Sequence, residues 1–210
     1  LFRSMSLIRQ YDVDVRNALI SAFIAAIGPA PTLKIRTGAM PSSCAAARSG
    51  TILVSMTLPS TWQAAPSNGV SNLSGTWSGT ASAAGDAGHF EMYSAGSPTD
   101  VKYQGLVTKA FPLTTTATAA INTNVLTFTS AAAASVGDSV SGAGIPAGTT
   151  VREKSSTTVT LSNVLTSAIA SGTDVFFGDA SSGALWLTNI AIAVSATVTV
   201  TRHRITAPGA

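Results

Sequence analysis

The chain has 210 residues, 45% of them hydrophobic and only 10% charged, with a net charge of +3. An average soluble domain carries about 25% charged residues, and here Ala, Thr, Ser and Gly take the place of the missing ones. A surface so poor in charge tends to associate, which points to an assembly component and away from a freely diffusing monomer. The cations are scattered, with no dense basic arm and no basic–aromatic interleaving, so no sequence-specific nucleic acid partner is expected. One cysteine, Cys44, excludes an internal disulfide framework. No run approaches the roughly 18 apolar residues of a membrane span, so no membrane partner is expected either.

Residues before Tyr11, including Arg3 and Arg9, show no pattern of their own and read as an arm that reaches a neighbour. The apolar stretch Ala18 to Ile27 is too short to span a membrane, and it lies behind Arg3, Arg9, Asp12, Asp14 and Arg16 with no typical cleavage site, so it is not read as a signal peptide. A helix is predicted over about 12–27. Val15, Ala18, Leu19, Ala22, Phe23, Ala26 and Ile27 recur at three-four spacing, Asp12 or Asp14 can cap the first turn, and Gly28-Pro29 ends it. That stripe is expected to pack on a sheet, because only Arg16 lines the polar face and a membrane-surface helix would want several cations there.

Strands follow. Leu33 to Arg36 alternates and is closed by Thr37-Gly38; Thr51 to Leu58 is rich in β-formers and closed by Pro59. His89 to Tyr93 alternates, and Val101 to Thr108 comes after a Gly96-Ser97-Pro98 turn. Near the end, Val194, Ala196, Val198 and Val200 share one face and Ser195, Thr197, Thr199 and Thr201 the other, as a half-buried antiparallel strand requires. Many short strands with a single helix indicate an all-β fold, a jelly roll or β-sandwich.

From Phe111 to Phe177 the text narrows to Ala, Thr, Ser, Val and Gly. Expected strands there are Val125 to Thr129, Asp138 to Ser141, Thr149 to Glu153, Thr157 to Ser162 and Thr173 to Phe177. We read residues 111–177 as a small β-domain inserted into a host formed by 1–110 and 178–210, since loop insertions cost little closure entropy. A serial two-domain chain is the alternative. Insertion is favoured because the strands of Asp179 to Thr206 have no partner unless they return to the first half.

Leu33-Lys34-Ile35-Arg36-Thr37-Gly38-Ala39-Met40-Pro41, Gly50-Thr51-Ile52-Leu53-Val54 and Leu58-Pro59-Ser60-Thr61-Trp62, continuing through Leu73-Ser74-Gly75-Thr76-Trp77, Ala87-Gly88-His89-Phe90 and Gln104-Gly105, resemble a family of small tailed-bacteriophage virion proteins. The resemblance covers about residues 15–107 and 180–207 and implies capsid decoration: a cement subunit. Val136 to Gly142, Gly144 to Val151 and Thr157 to Ser162 resemble a β-module scattered through phage structural proteins, which implies an outward-facing knob.

Reactive constellations are sparse, with nine acids and two histidines dispersed along the chain. His89 beside Asp86 and Glu91 is the nearest thing to a general base, and Asp86 with Glu91 the nearest to a carboxylate pair, but neither comes with a nucleophile or ligand spacing. His203, between Arg202 and Arg204, is expected to stay neutral. Trp62, Trp77 and Trp186 read as core anchors. No catalytic residue, cofactor or metal ligand is expected. Arg202 and Arg204 continue the side taken by Val198 and Val200, which suits contact with a carboxylate-bearing neighbour, or else marks a strand end in solvent. With Arg3 and Arg9 they are the candidate partner contacts. The expectation is a non-enzymatic protein on the outer capsid surface of the virion, binding between major capsid protein subunits as a homotrimer or homodimer. The rival is a tail- or fibre-associated receptor-binding or adaptor module.

Overall fold

The structure, a computed structural model, describes residues 10–97, 99–178 and 185–208. It is mostly β with one helix, as the strand and turn patterning predicts. Helix α1 (Val13–Ile27) is capped by Asp12, whose carboxylate accepts from the Asp14 N–H at 3.0 Å. Gly28 ends it at φ +85°, and its carbonyl accepts from Trp62 Nε1 at 3.0 Å. The buried face is only partly the predicted one, sharing Phe23 and Ile27 with it. Ile20 and Ile27 are buried with Phe23 and Ile24 packed against the core, whereas Val15 and Leu19 are each 46% exposed and Ala18, Ala22 and Ala26 also face outward. The helix carries two overlapping apolar stripes, and the one holding the isoleucines wins because it offers more area to bury.

The strands are β1 (Thr32–Thr37), β2 (Ile52–Thr57), β3 (Val70–Asn72), β4 (Ser78–Thr80), β5 (Gly85–Tyr93), β6 (Val101–Thr114), β7 (Val125–Thr127), β8 (Val140–Ser141), β9 (Val151–Lys154), β10 (Thr158–Leu161), β11 (Asp174–Gly178), β12 (Leu185–Leu187), β13 (Ala191–Ile192) and β14 (Thr197–Thr206). The main sheet runs β2-β1-β5-β6-β12-β14-β3, with β4 also on β14, β13 on β5, and β11 joining β6 to β8. All these pairs are antiparallel except β6–β12, which is parallel. The sheet rolls back on itself: the Ser82 N–H, just past β4, donates to the Leu53 carbonyl on β2 at 2.8 Å. β7, β10 and β9 form a separate three-stranded sheet.

Two hydrophobic clusters fill the fold. One joins Leu33, Ile35, Leu53, Trp62, Trp77, Phe90 and Met92 to Leu185, Leu187, Val198 and Val200. The other lies wholly between Phe111 and Phe177, whose rings stack at 5.7 Å. β6 serves both, with Val107 in the first cluster and Phe111 in the second. Next to this junction, Lys109 Nζ meets Asp138 Oδ2 at 2.8 Å, tying β6 to the turn before β8.

The last strand departs from its predicted phase. Val194 is exposed, Ser195 takes φ +64°, and β14 begins at Thr197. Trp186 pairs with Arg202 but Leu187 with Val200, so Thr201 is an extra residue, a β-bulge. Its hydroxyl lies 2.9 Å from the Ala110 carbonyl oxygen. The bulge reverses the alternation, so Val198, Val200 and then His203 point inward while Arg202 and Arg204 turn outward. The predicted sharing of one side by Val198, Val200, Arg202 and Arg204 is thereby corrected.

Candidate functional site

The densest concentration of titratable side chains lies on β5 and its neighbours. Alternation sends Phe90 and Met92 into the apolar core and puts His89, Glu91 and Tyr93 on the opposite face. Register adds Arg36, opposite His89 on β1, and Gln104, opposite Glu91 on β6. This face would be wet in a simple sheet. Instead residues 38–50 fold across it, their neck closed by Thr37 N–H to Thr51 O at 3.0 Å and Thr51 N–H to Thr37 Oγ1 at 2.9 Å.

Glu91 is fully buried at the centre of this cluster. Its Oε2 accepts from Arg36 Nε at 2.7 Å and from the Tyr93 hydroxyl at 2.6 Å. Arg48 Nη1 stands 3.7 Å and His89 Nε2 3.9 Å from Glu91 Oε1. The same side chains hold the covering loop: Arg36 Nη1 donates to Gly50 O at 3.2 Å, Arg48 Nη2 to Cys44 O, and Gln104 Nε2 to Pro41 O at 2.7 Å. His89 Nδ1 lies 3.1 Å from Gly38 O, which requires a proton on Nδ1. Burial works against the Arg36 charge, but contacts with Tyr93 and Glu91 outweigh it and raise its pKa. Burial, then the hydrogen bond to Glu91, raises the Tyr93 phenol.

Sequence reasoning found His89 and Glu91 but missed Arg36, Arg48, Tyr93 and Gln104 as their partners. The available signal was a covering segment of about a dozen small residues, long for a connection with no regular structure of its own. Asp86 does not join Glu91: it is exposed opposite Ala191, five residues and about 16 Å along the strand. His89 and Glu91 are both sealed from solvent, and the bonds to residues 38–50 come from Arg36, Arg48, Gln104 and His89 around Glu91.

A second buried histidine sits in the main core. His203 is ringed by Trp62, Trp77, Phe90 and Tyr103, with centroids 5.2–6.1 Å away. Gln63 Nε2 lies 2.7 Å from its Nδ1; with the amide donating, the ring proton is on Nε2. Burial lowers its pKa to about 4. The ring is neutral as expected, but through desolvation and not through the neighbouring arginines.

Of the predicted partner contacts, Arg202 lies over the Trp186 ring, 4.2 Å from its centroid. Burial and the charge of Arg204 lower its pKa. Arg204 is exposed opposite Asn72 on β3. Neither pairs with a carboxylate among the described residues. Arg3 and Arg9 lie outside the described residues. The other surface feature is the outward stripe of α1, which runs beside a cleft of about 170 Å³ lined by Leu19, Phe23, Ile205 and Pro208. Among the described residues no helix is long and apolar enough to cross a membrane, and no group of three or more His, Cys, Asp or Glu side chains is placed to hold a metal ion. No protein-family model, curated protein or solved structure matches the chain.

Proposed function

We propose that the chain is a non-enzymatic structural protein of a tailed-phage particle that decorates the capsid by binding between major capsid subunits. One observation carries the reading: the chemically versatile side chains are sealed inside while apolar groups and cations without a carboxylate partner among the described residues are turned outward. Glu91, His89 and His203 are all fully buried, yet Val15 and Leu19 stand nearly half exposed on α1 and Arg202 and Arg204 face outward. Such a surface suits a partner with an apolar patch rimmed by carboxylates. The step from assembly component to capsid rests on the phage resemblance of about residues 15–107 and 180–207.

Decoration works without a reaction. Each subunit buries surface on two neighbours and so raises the cost of separating them. Local lattice symmetry favours a homotrimer or homodimer. Copy number in purified particles tests the reading. Hundreds of copies per particle support decoration, whereas a few to a few dozen move the protein to the tail or fibre and overturn it.

A further inference from the structure

Four buried polar atoms find no hydrogen-bond partner within the protein at one place: Arg48 Nη1, His89 Nε2, Glu91 Oε1 and Gln104 Oε1. All four belong to the layer between the β1–β5–β6 face and residues 38–50. Burying such groups unpaired costs about 1–3 kcal/mol each, more for the charged ones, and two of them, Arg48 Nη1 and His89 Nε2, stand 3.7 and 3.9 Å from a third, Glu91 Oε1, close enough to share one occupant. We propose that this layer is a binding site for an ordered water molecule, which bridges Arg48, His89 and Glu91 and clamps residues 38–50 to the sheet.

The donor and acceptor inventory selects the occupant. With a single ring proton, donated from Nδ1 to Gly38 O, His89 offers a lone pair at Nε2. Glu91 Oε1 and Gln104 Oε1 are acceptors, and Arg48 Nη1 is a donor. Three acceptors against one donor reject an anion. The guanidinium groups of Arg36 and Arg48, within 2.7 and 3.7 Å of the Glu91 carboxylate, reject a cation. A neutral molecule with two hydrogens to give and a lone pair to receive fits. Glu91 Oε1 is 3.7 Å from Arg48 Nη1 and 3.9 Å from His89 Nε2, too far for direct bonds but within the span of two bonds meeting at one oxygen. Buried waters make about three hydrogen bonds and occur about once per 27 residues. The proposal is independent of capsid decoration.

The test uses the unaltered full chain. A crystal structure good enough to place ordered solvent should show a solvent peak within about 2.7–3.2 Å of Arg48 Nη1, His89 Nε2 and Glu91 Oε1. An empty layer there overturns the proposal, as does a direct His89–Glu91 or Arg48–Glu91 hydrogen bond in place of the peak. In solution, a long-lived water should give a cross-relaxation signal from the His89 ring carbon-bound protons to the water resonance. That signal should persist in Tyr93→Phe, where exchange relayed through the phenol is removed; its absence from both proteins, or its loss in Tyr93→Phe, counts against a bound water.

Discussion

Gln63 Nε2 and His203 Nδ1 meet at 2.7 Å across 140 positions of sequence, seating a neutral imidazole among four aromatic rings. The folded-state pKa of about 4 lies below the ordinary 6.5, so the unfolded chain takes up a proton that the folded chain refuses. Stability from this residue is therefore complete above about pH 6.5, falls as the pH drops towards 4, and is flat below that. The total is on the order of 3 kcal/mol, from about 1.4 kcal/mol per pH unit. Urea unfolding of the wild type and His203→Gln at several pH values isolates it: the difference between the two proteins should change between pH 7 and 4.5. Parallel curves would refute the linkage.

Removing Glu91 leaves the buried Arg36 charge without its carboxylate partner. Glu91→Ala is expected to cost about 3–5 kcal/mol, the usual penalty for breaking one side of a buried pair. Denaturant midpoints measure it. A loss under about 1 kcal/mol would mean that the pair behaves like an exposed salt bridge.

The phase of α1 makes a sharp contrast between neighbours. Ile20→Ala should cost about 2–4 kcal/mol, because the side chain is almost wholly buried. Leu19→Ala should stay within about 0.5 kcal/mol, and Leu19→Glu should weaken particle binding while the fold survives. Equal losses at positions 19 and 20 would restore the stripe predicted from sequence.

Gly50 closes the neck of the covering loop at φ +75°, and a β-carbon there would run into the Thr37 carbonyl oxygen. Gly50→Ala should destabilise by about 1–3 kcal/mol and speed amide exchange across residues 38–50 more than in α1. Uniform exchange rates across both regions would show that the neck does not govern the loop.

Deleting residues 1–10 should lower affinity for particles without moving the unfolding midpoint. Unchanged binding would remove the arm from the assembly contacts.

Much of this architecture was legible in the residues. Asp12 and Gly28 bracket α1 within a residue of the predicted span, because capping chemistry is local. β1, β2, β10 and β11 fall where β-branched runs end at turn residues. What escaped was non-local. Two apolar stripes on α1 satisfy the same periodicity, and only the sheet beneath decides between them. Strict alternation cannot anticipate the extra residue at Thr201 and so places Arg202 and Arg204 on the wrong side. The parallel β6–β12 pair leaves no local mark. Nor does a strand reveal that its polar face will be roofed, which is why the sequence offers only His89 and Asp86 as neighbours of Glu91 and not its place as the hub of Arg36, Arg48 and Tyr93.

β6 runs unbroken from Val107 in one cluster to Phe111 in the other, with β5 laddered along Val101–Leu106, β12 along Val107–Lys109 and β11 along Ala110–Thr114. A pull on residues 115–173 would therefore load the β6–β11 ladder, and that load would continue into the main sheet through one rigid backbone. Mechanically the chain is spliced like two timbers over a common batten.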